Sequence, residues 1–201
     1  STDSVITTIP VGISPRAFGK FIGSTPVIPP PSQLGIKTFA IFGGNSDASL
    51  VDSLNYGVDI ASNVVVQGGG SIGSNTFIQF QNQVNVSGSI YGNIFYAGDT
   101  TTVKGSISVL NKTSASYNVL RIDSFANITT PGNLFVNGNS FVASGSVAGV
   151  VQFPGIYTYT GPPPGGGIDT IAPVFPQLPV LPDVSNYAPP VAADISATQT
   201  I

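Results

Sequence analysis

Apolar residues in this chain fall in short runs that alternate with Gly, Asn, Ser and Thr. Examples are Asn63–Val66, Thr76–Phe80, Gln83–Val86 and Tyr117–Ile122, each rich in Val, Ile, Phe or Thr and each bounded by turn formers. That pattern predicts strands and tight turns. Helical spacing is confined to Asp47–Tyr56, where Leu50, Val51 and Leu54 would share a face, and a short capping helix is expected there. Elsewhere Gly or Pro interrupts the windows a helix would need.

An internal repeat organises these runs. Residues 92–107 align without a gap on residues 132–147, an offset of 40. A Gly-Ser-Ile/Val tag starts at residues 70, 88, 105 and 145, at steps of 18, 17 and 40, the last read as two steps of 20. A unit of 17–20 residues is too short for a helical repeat and suits one coil of a solenoid. The fold predicted is all-β: a single-stranded parallel β-helix with Pro-rich extended arms at both ends. A β-sandwich also has short strands and frequent turns, but gives no reason for a gapless repeat. On the β-helix reading, Ile94, Phe95 or Tyr96 should occupy strands matching Leu134, Phe135 or Val136 two coils away. Asn93 and Asn133 should belong to an internal Asn ladder.

Proline marks three segments. Residues 1–35 form an N-terminal Pro-containing arm, residues 36–155 the β-helix, and residues 156–201 a Pro/Gly-rich strap and C-terminal strand arm. Pro173, Pro176, Pro179 and Pro182 recur every three residues, the period of a polyproline II helix, and Phe175, Leu178, Leu181 and Val184 share that period. We therefore expect residues 173–184 to lie extended along the β-helix or along a neighbour.

Composition narrows the chemistry. Of 201 residues only 7% are charged; Cys, Met, Trp and His are absent, and the nine acids are all Asp. No Cys/His metal centre, disulfide or Ser-His-Asp triad can be built within the chain. With six Lys and Arg and a net charge of −3, no nucleic-acid footprint is expected. No apolar run approaches the ~20 residues of a membrane span. Ser1 opens the chain with neither Met nor a basic–apolar leader, and with the low charge this leads us to expect a secreted, extracellular protein. Asp99, Lys104, Arg121 and Asp123 are the candidates for a pectinase-like catalytic face, but Asp99 reads as a turn residue and Arg121 with Asp123 as a solvated pair. Gln67–Gly73 is similar to calcium-binding Gly-rich repeats without their Asp, and Gly43–Asp47 with Asp52 has few carboxylates for an oxygen cage. Neither an enzyme, nor a metal site, nor a cofactor is expected.

The Phe39–Gly44 opening, the Gly-Ser-Ile and Gly-Asn-Ile coils, and the Tyr157–Gly167 close followed by spaced prolines resemble adhesin-like β-helix modules of secreted surface proteins from Gram-negative bacteria. The coils also resemble bactofilins, polymer-forming β-helix proteins, without their Glu/Lys-rich composition. The resemblance implies a structural role: a self-assembling subunit of a surface fibre, filament or matrix layer, with adhesion as a close variant and a cell-surface polysaccharide as a partner besides its own copies. The alternative is a carbohydrate-active β-helix enzyme or carbohydrate-binding module. Coil ends and arms are the expected interfaces. Phe39 and Phe42 would lie at one end of the stack and Val150 and Phe153 at the other. Phe175, Leu178 and Leu181 would line the strap. Val5, Ile9 and Val11, with Ile195 and Ile201, would form donor strands for another copy.

Overall fold

The computed structural model describes residues 33–44, 56–112, 116–128 and 132–181. These build a parallel β-solenoid of about five coils. After a single 3-10 turn at Ile36–Thr38, the first coil carries β1 (Phe39–Gly43), β2 (Tyr56–Ile60) and β3 (Val65–Val66). The second carries β4 (Ser71–Ser74), β5 (Phe77–Phe80) and β6 (Val84–Val86), and the third β7 (Ile90–Gly92), β8 (Ile94–Ala97) and β9 (Thr101–Val103). In the fourth, β10 (Ile107–Val109) precedes β11 (Asn118–Ile128), and in the fifth, β12 (Leu134–Val136) precedes β13 (Asn139–Val147). Both β11 and β13 are long enough to cover two sides. A partial coil follows, with β14 (Val151–Gln152), β15 (Tyr159–Thr160) and β16 (Ile168–Asp169). The first side is the sheet β1-β4-β7-β10-β12-β14-β16; the other two form one sheet, because β11 joins them. The parallel pairing thus continues beyond residue 155. Of the helix expected over Asp47–Tyr56, Tyr56 opens β2 and the rest lies outside the described residues.

Parallel pairing, interrupted by register shifts in β1, β2 and β11, places like on like. On the first side the lumen column is Ile41, Ile72, Ile90, Ile107, Leu134, Val151 and Ile168. On the second it is Ile60, Phe80, Ala97, Ile122 and Val142, and on the third Val66, Val86, Val103, Ile128 and Val147. The second and third columns are buried throughout, and the first from Ile72 to Val151. Where side chains of unequal size meet, aromatic packing fills the space: Phe80 and Phe95 meet edge to face at 5.0 Å.

Three corners hold the coils in register, and each has its own polar ladder. At the first, Ser71 Oγ accepts from Ser89 N–H (3.1 Å), Ser89 Oγ from Ser106 N–H (3.1 Å), Ser106 Oγ from Asn133 N–H (3.1 Å) and Asn133 Oδ1 from Val150 N–H (2.8 Å). The preceding residues, Gly70, Gly88, Gly105, Gly132, Gly149 and Gly166, stack backbone on backbone, and a Cβ on Gly88, Gly105, Gly149 or Gly166 would run into the glycine one coil below. At the second corner, Asn93 Nδ2 donates to Asn75 O (2.6 Å), Asn111 Nδ2 to Asn137 O (2.8 Å) and Asn137 Nδ2 to Leu110 O (3.0 Å). At the third, Asn82 N–H donates to Ser62 Oγ (3.2 Å) and Asp99 N–H to Asn82 Oδ1 (2.9 Å). The next residue there is left-handed each time: Asn63 at φ 65°, Gln83 at 56° and Thr100 at 51°. At the first two corners these side chains satisfy main-chain groups that are buried or half-buried, while the bonds of the third corner lie open to solvent.

The repeat is real, but its 40-residue phase is not. Ile94–Tyr96 lie on the second side and Leu134–Val136 on the first, so they do not match. The true offset between the third and fifth coils is 44, from Ile90 through Ile107 to Leu134. Tags at 70, 88 and 105 are first corners, whereas Gly145–Val147 is the bend of β13. The corner tag continues instead as Gly132-Asn-Leu, Gly149-Val-Val and Gly166-Gly-Ile, and the 27-residue fourth coil, Ile107 to Leu134, breaks the even spacing. Asn93 and Asn133 likewise belong to two different ladders.

From β16 the chain runs back along the first side. Val174–Pro176 lie beside Tyr91, Ser108 and Phe135. Gln177 then bridges to Gln33, and Leu34 N–H donates to Gln177 O at 3.0 Å, next to the first coil. Leu178 is only 4% exposed, while Val174 and Val180, four residues before and two after, are 77% and 58% exposed. One residue in three faces water, as a polyproline II strap requires. Its length matches its task. Residues 170–178 at ~3.1 Å each span roughly 28 Å, and six strand spacings of ~4.8 Å span roughly 29 Å. Val184 lies outside the described residues.

Substitutions at two positions test this account. Ile107→Ala should cost about 2–5 kcal/mol, because the column above and below cannot collapse into the space; calorimetry should show a Tm drop of roughly 5–15 °C. Asn133→Ala leaves Val150 N–H unpaired and should cost about 1–2 kcal/mol. Asn133→Ser, the residue used by the three preceding coils, should recover most of it.

Candidate functional site

The charged candidates do not converge. Asp99 stands at the third corner, where hydrogen bonds from Ser124 and then Thr100 hold its carboxyl below the usual carboxylate range. Thr100 Oγ1 donates to it at 2.9 Å. Lys104 leaves the opposite end of β9. Arg121 and Asp123 pair with each other on the outer face of β11, both half-exposed. Each charge is explained by a local partner or by solvent. Among the described residues no group of three metal-ligating side chains comes together. Gln67–Gly73 is a corner whose Gly69 N–H is taken by Ser87 Oγ at 2.9 Å. Of Gly43–Asp47 with Asp52, only Gly43 and Gly44 are described.

The expected interface residues divide into four groups. Phe39 and Phe42 are in the first coil, with ring centroids 5.0 Å apart, and Phe39 meets Tyr91 edge to face at 5.8 Å. Both rings fold over Gly73, where a Cβ would collide with them. They are thus half-buried against their own sheet. Phe153 is buried and Val150 half-buried, and both lie inside the stack: β14 bonds to β12 on one edge and to β16 on the other. Val147–Phe153 is therefore not the terminal coil, because the Gly166-Gly-Ile tag starts one more strand. Phe175, Leu178 and Leu181 form the inward-facing side of the strap. Val5, Ile9, Val11, Ile195 and Ile201 lie outside the described residues.

The two ends of the stack differ. At the first coil Val58, Ile60 and Val66 are buried. At the last, the lumen column finishes in Ile168, which is 56% exposed; Ile156 (83%), between β14 and β15, and Ile171 (69%), just after β16, are exposed too. Pro162–Pro164 run between β15 and β16 without making a strand on the third side, and proline has no N–H to offer a further one. Tyr159 is half-buried here and its hydroxyl donates to Pro162 O at 2.8 Å. Burial pushes its pKa up to about 12. Sequence reasoning missed Ile156, Ile168 and Ile171; the signal was the corner tag at Gly166, 17 residues after Gly149.

One shallow groove of about 390 Å³ lies on the third side, lined by Gln67, Asn85, Ser87, Thr102 and Lys104 around Val65 and Val66. No protein-family model matches the chain, and neither a curated protein nor a solved structure is significantly similar to it.

Two outcomes follow. Asp123→Asn should change stability by less than about 0.5 kcal/mol, since the pair is solvated; a larger loss in urea titration would give this pair a structural role. For Tyr159, both folded and unfolded states are protonated below the ordinary value of 10.0. Its contribution is therefore intact at neutral pH and is lost as pH rises from 10 toward about 12. Tyr159→Phe should flatten part of that alkaline fall in a Tm series.

Proposed function

We propose that this chain is a structural protein of the cell exterior, a β-solenoid subunit that associates with its own copies into a fibre or layer, with adhesion as a close variant. The observation that carries this reading is the state of its strand edges. Among the described residues, β1, β2 and β3 bond only to the next coil, and β15 and β16 only to the preceding one. These five strands hold two charges, Asp59 and Asp169, and neither lysine nor proline. Soluble proteins guard such edges with charge, proline or a covering element, because an unguarded edge templates growth. The low charge of the whole chain and its lack of oxidisable Cys, Met and Trp suit a durable exposed material.

The groove beside Lys104 favours a second reading, a carbohydrate-binding module. Its amides and hydroxyls suit a sugar's hydroxyl groups. The test is sedimentation velocity and negative-stain microscopy of the purified full chain. Assemblies many times the 20.5 kDa subunit are expected. A single 20.5 kDa species whose Tm rises with added polysaccharide would replace the first reading by the second.

A further inference from the structure

We propose that the open end of the last coil is a docking surface for residues 191–201 of a second copy, so that copies join head to tail. The proposal rests on the self-association proposed above and names its contact. Ile72, Ile90, Ile107, Leu134 and Val151 are fully buried, and the same column then breaks surface at Ile168. Solenoids close their ends with a polar-faced capping coil. Here the position is apolar, and Ile156 and Ile171 of the same end segment are exposed as well. The proline run closes the third side, so a further strand can be added only along β15 and β16.

The strap indicates where that strand comes from. It returns the chain to the first coil, where Gln177 bridges to Gln33. Leu181 is four residues further, at most about 14 Å of extended chain. The described chain thus ends within that reach of the first coil, which lies about 29 Å from the open end of the stack, and 20 residues follow it in sequence. In a head-to-tail pair the neighbour's last coil abuts that first coil, and the segment reaches it with no return path. Its chemistry suits the surface. Residues 191–201 contain no proline and one charge, Asp194, and Ile195, Ala197, Gln199 and Ile201 alternate at strand period. Added to the β15–β16 edge, such a strand gains main-chain hydrogen bonds and covers Ile168 with a branched side chain. The contact joins unlike surfaces, so each copy in a pair still has one of them free for the next.

The experiment compares the full chain, a chain truncated after Pro190, and Ile168→Asp, by sedimentation velocity over a hundredfold concentration range. A fluorescent peptide of residues 191–201 is titrated into the truncated chain with and without Ile168→Asp. Expected are concentration-dependent assemblies of the full chain, single copies of both variants with Tm within a few degrees, and peptide binding that Ile168→Asp weakens at least tenfold. Ile168 is already exposed, so the variant keeps its fold, and circular dichroism checks this. If both variants assemble like the full chain, this docking surface is wrong while self-association stands. If the full chain stays single yet the truncated chain binds peptide, the segment closes on its own molecule and the head-to-tail contact is overturned. A single full chain with no peptide binding overturns both.

Discussion

Every feature of this protein follows from one constraint: each coil must present the same backbone, in the same register, to the coil above it. Parallel strands ~4.8 Å apart leave no room for a side chain to change course between layers. Branched aliphatics stack on branched aliphatics in the lumen, and glycines stack on glycines at the first corner. Asn and Ser serve the corners because their short side chains reach one coil up or down to a main-chain N–H or C=O. A corner residue is thus chosen by its neighbour in space, 17 or 18 residues away, more than by its neighbour in sequence.

The same constraint creates the protein's weakness and its opportunity. A stack ends in unpaired strand edges and an exposed lumen, and these cannot be removed, only covered. The strap covers something else: it ties the last coil back to the first along the outer row Tyr91, Ser108 and Phe135. Its length is fixed by the coil count. The proline run at 162–164 closes one side of the last coil, which leaves two sides and Ile168 as the surface that assembly would use.

Chemistry on the outer faces is sparse and local. Asp99 is held by Ser124 and Thr100, and Arg121 by Asp123. In each case the partner lies on the same corner or strand, which is the arrangement of a structural surface. Shape and strand edges therefore carry the functional reading, and the groove by Lys104 is one depression on the described faces that polar groups line.

The sequence by itself determined the fold class and the strap. Strand-period runs bounded by Gly and Asn, a repeat too short for helices, and prolines every third residue each report a local rule: alternation, turn conformation or polyproline period. It placed three first corners correctly at Gly70, Gly88 and Gly105. Only the tertiary structure decided the phase of the repeat. Gly145-Ser-Val and Gly105-Ser-Ile read alike, yet one is a bend within β13 and the other a corner. Hydrogen bonds between coils distinguish them, and those depend on how many residues the intervening coil holds. The position of the last coil was hidden for the same reason: Val147–Phe153 is as apolar as a terminal edge, and only the pairing of Val151 with Ile168 shows that another strand covers it.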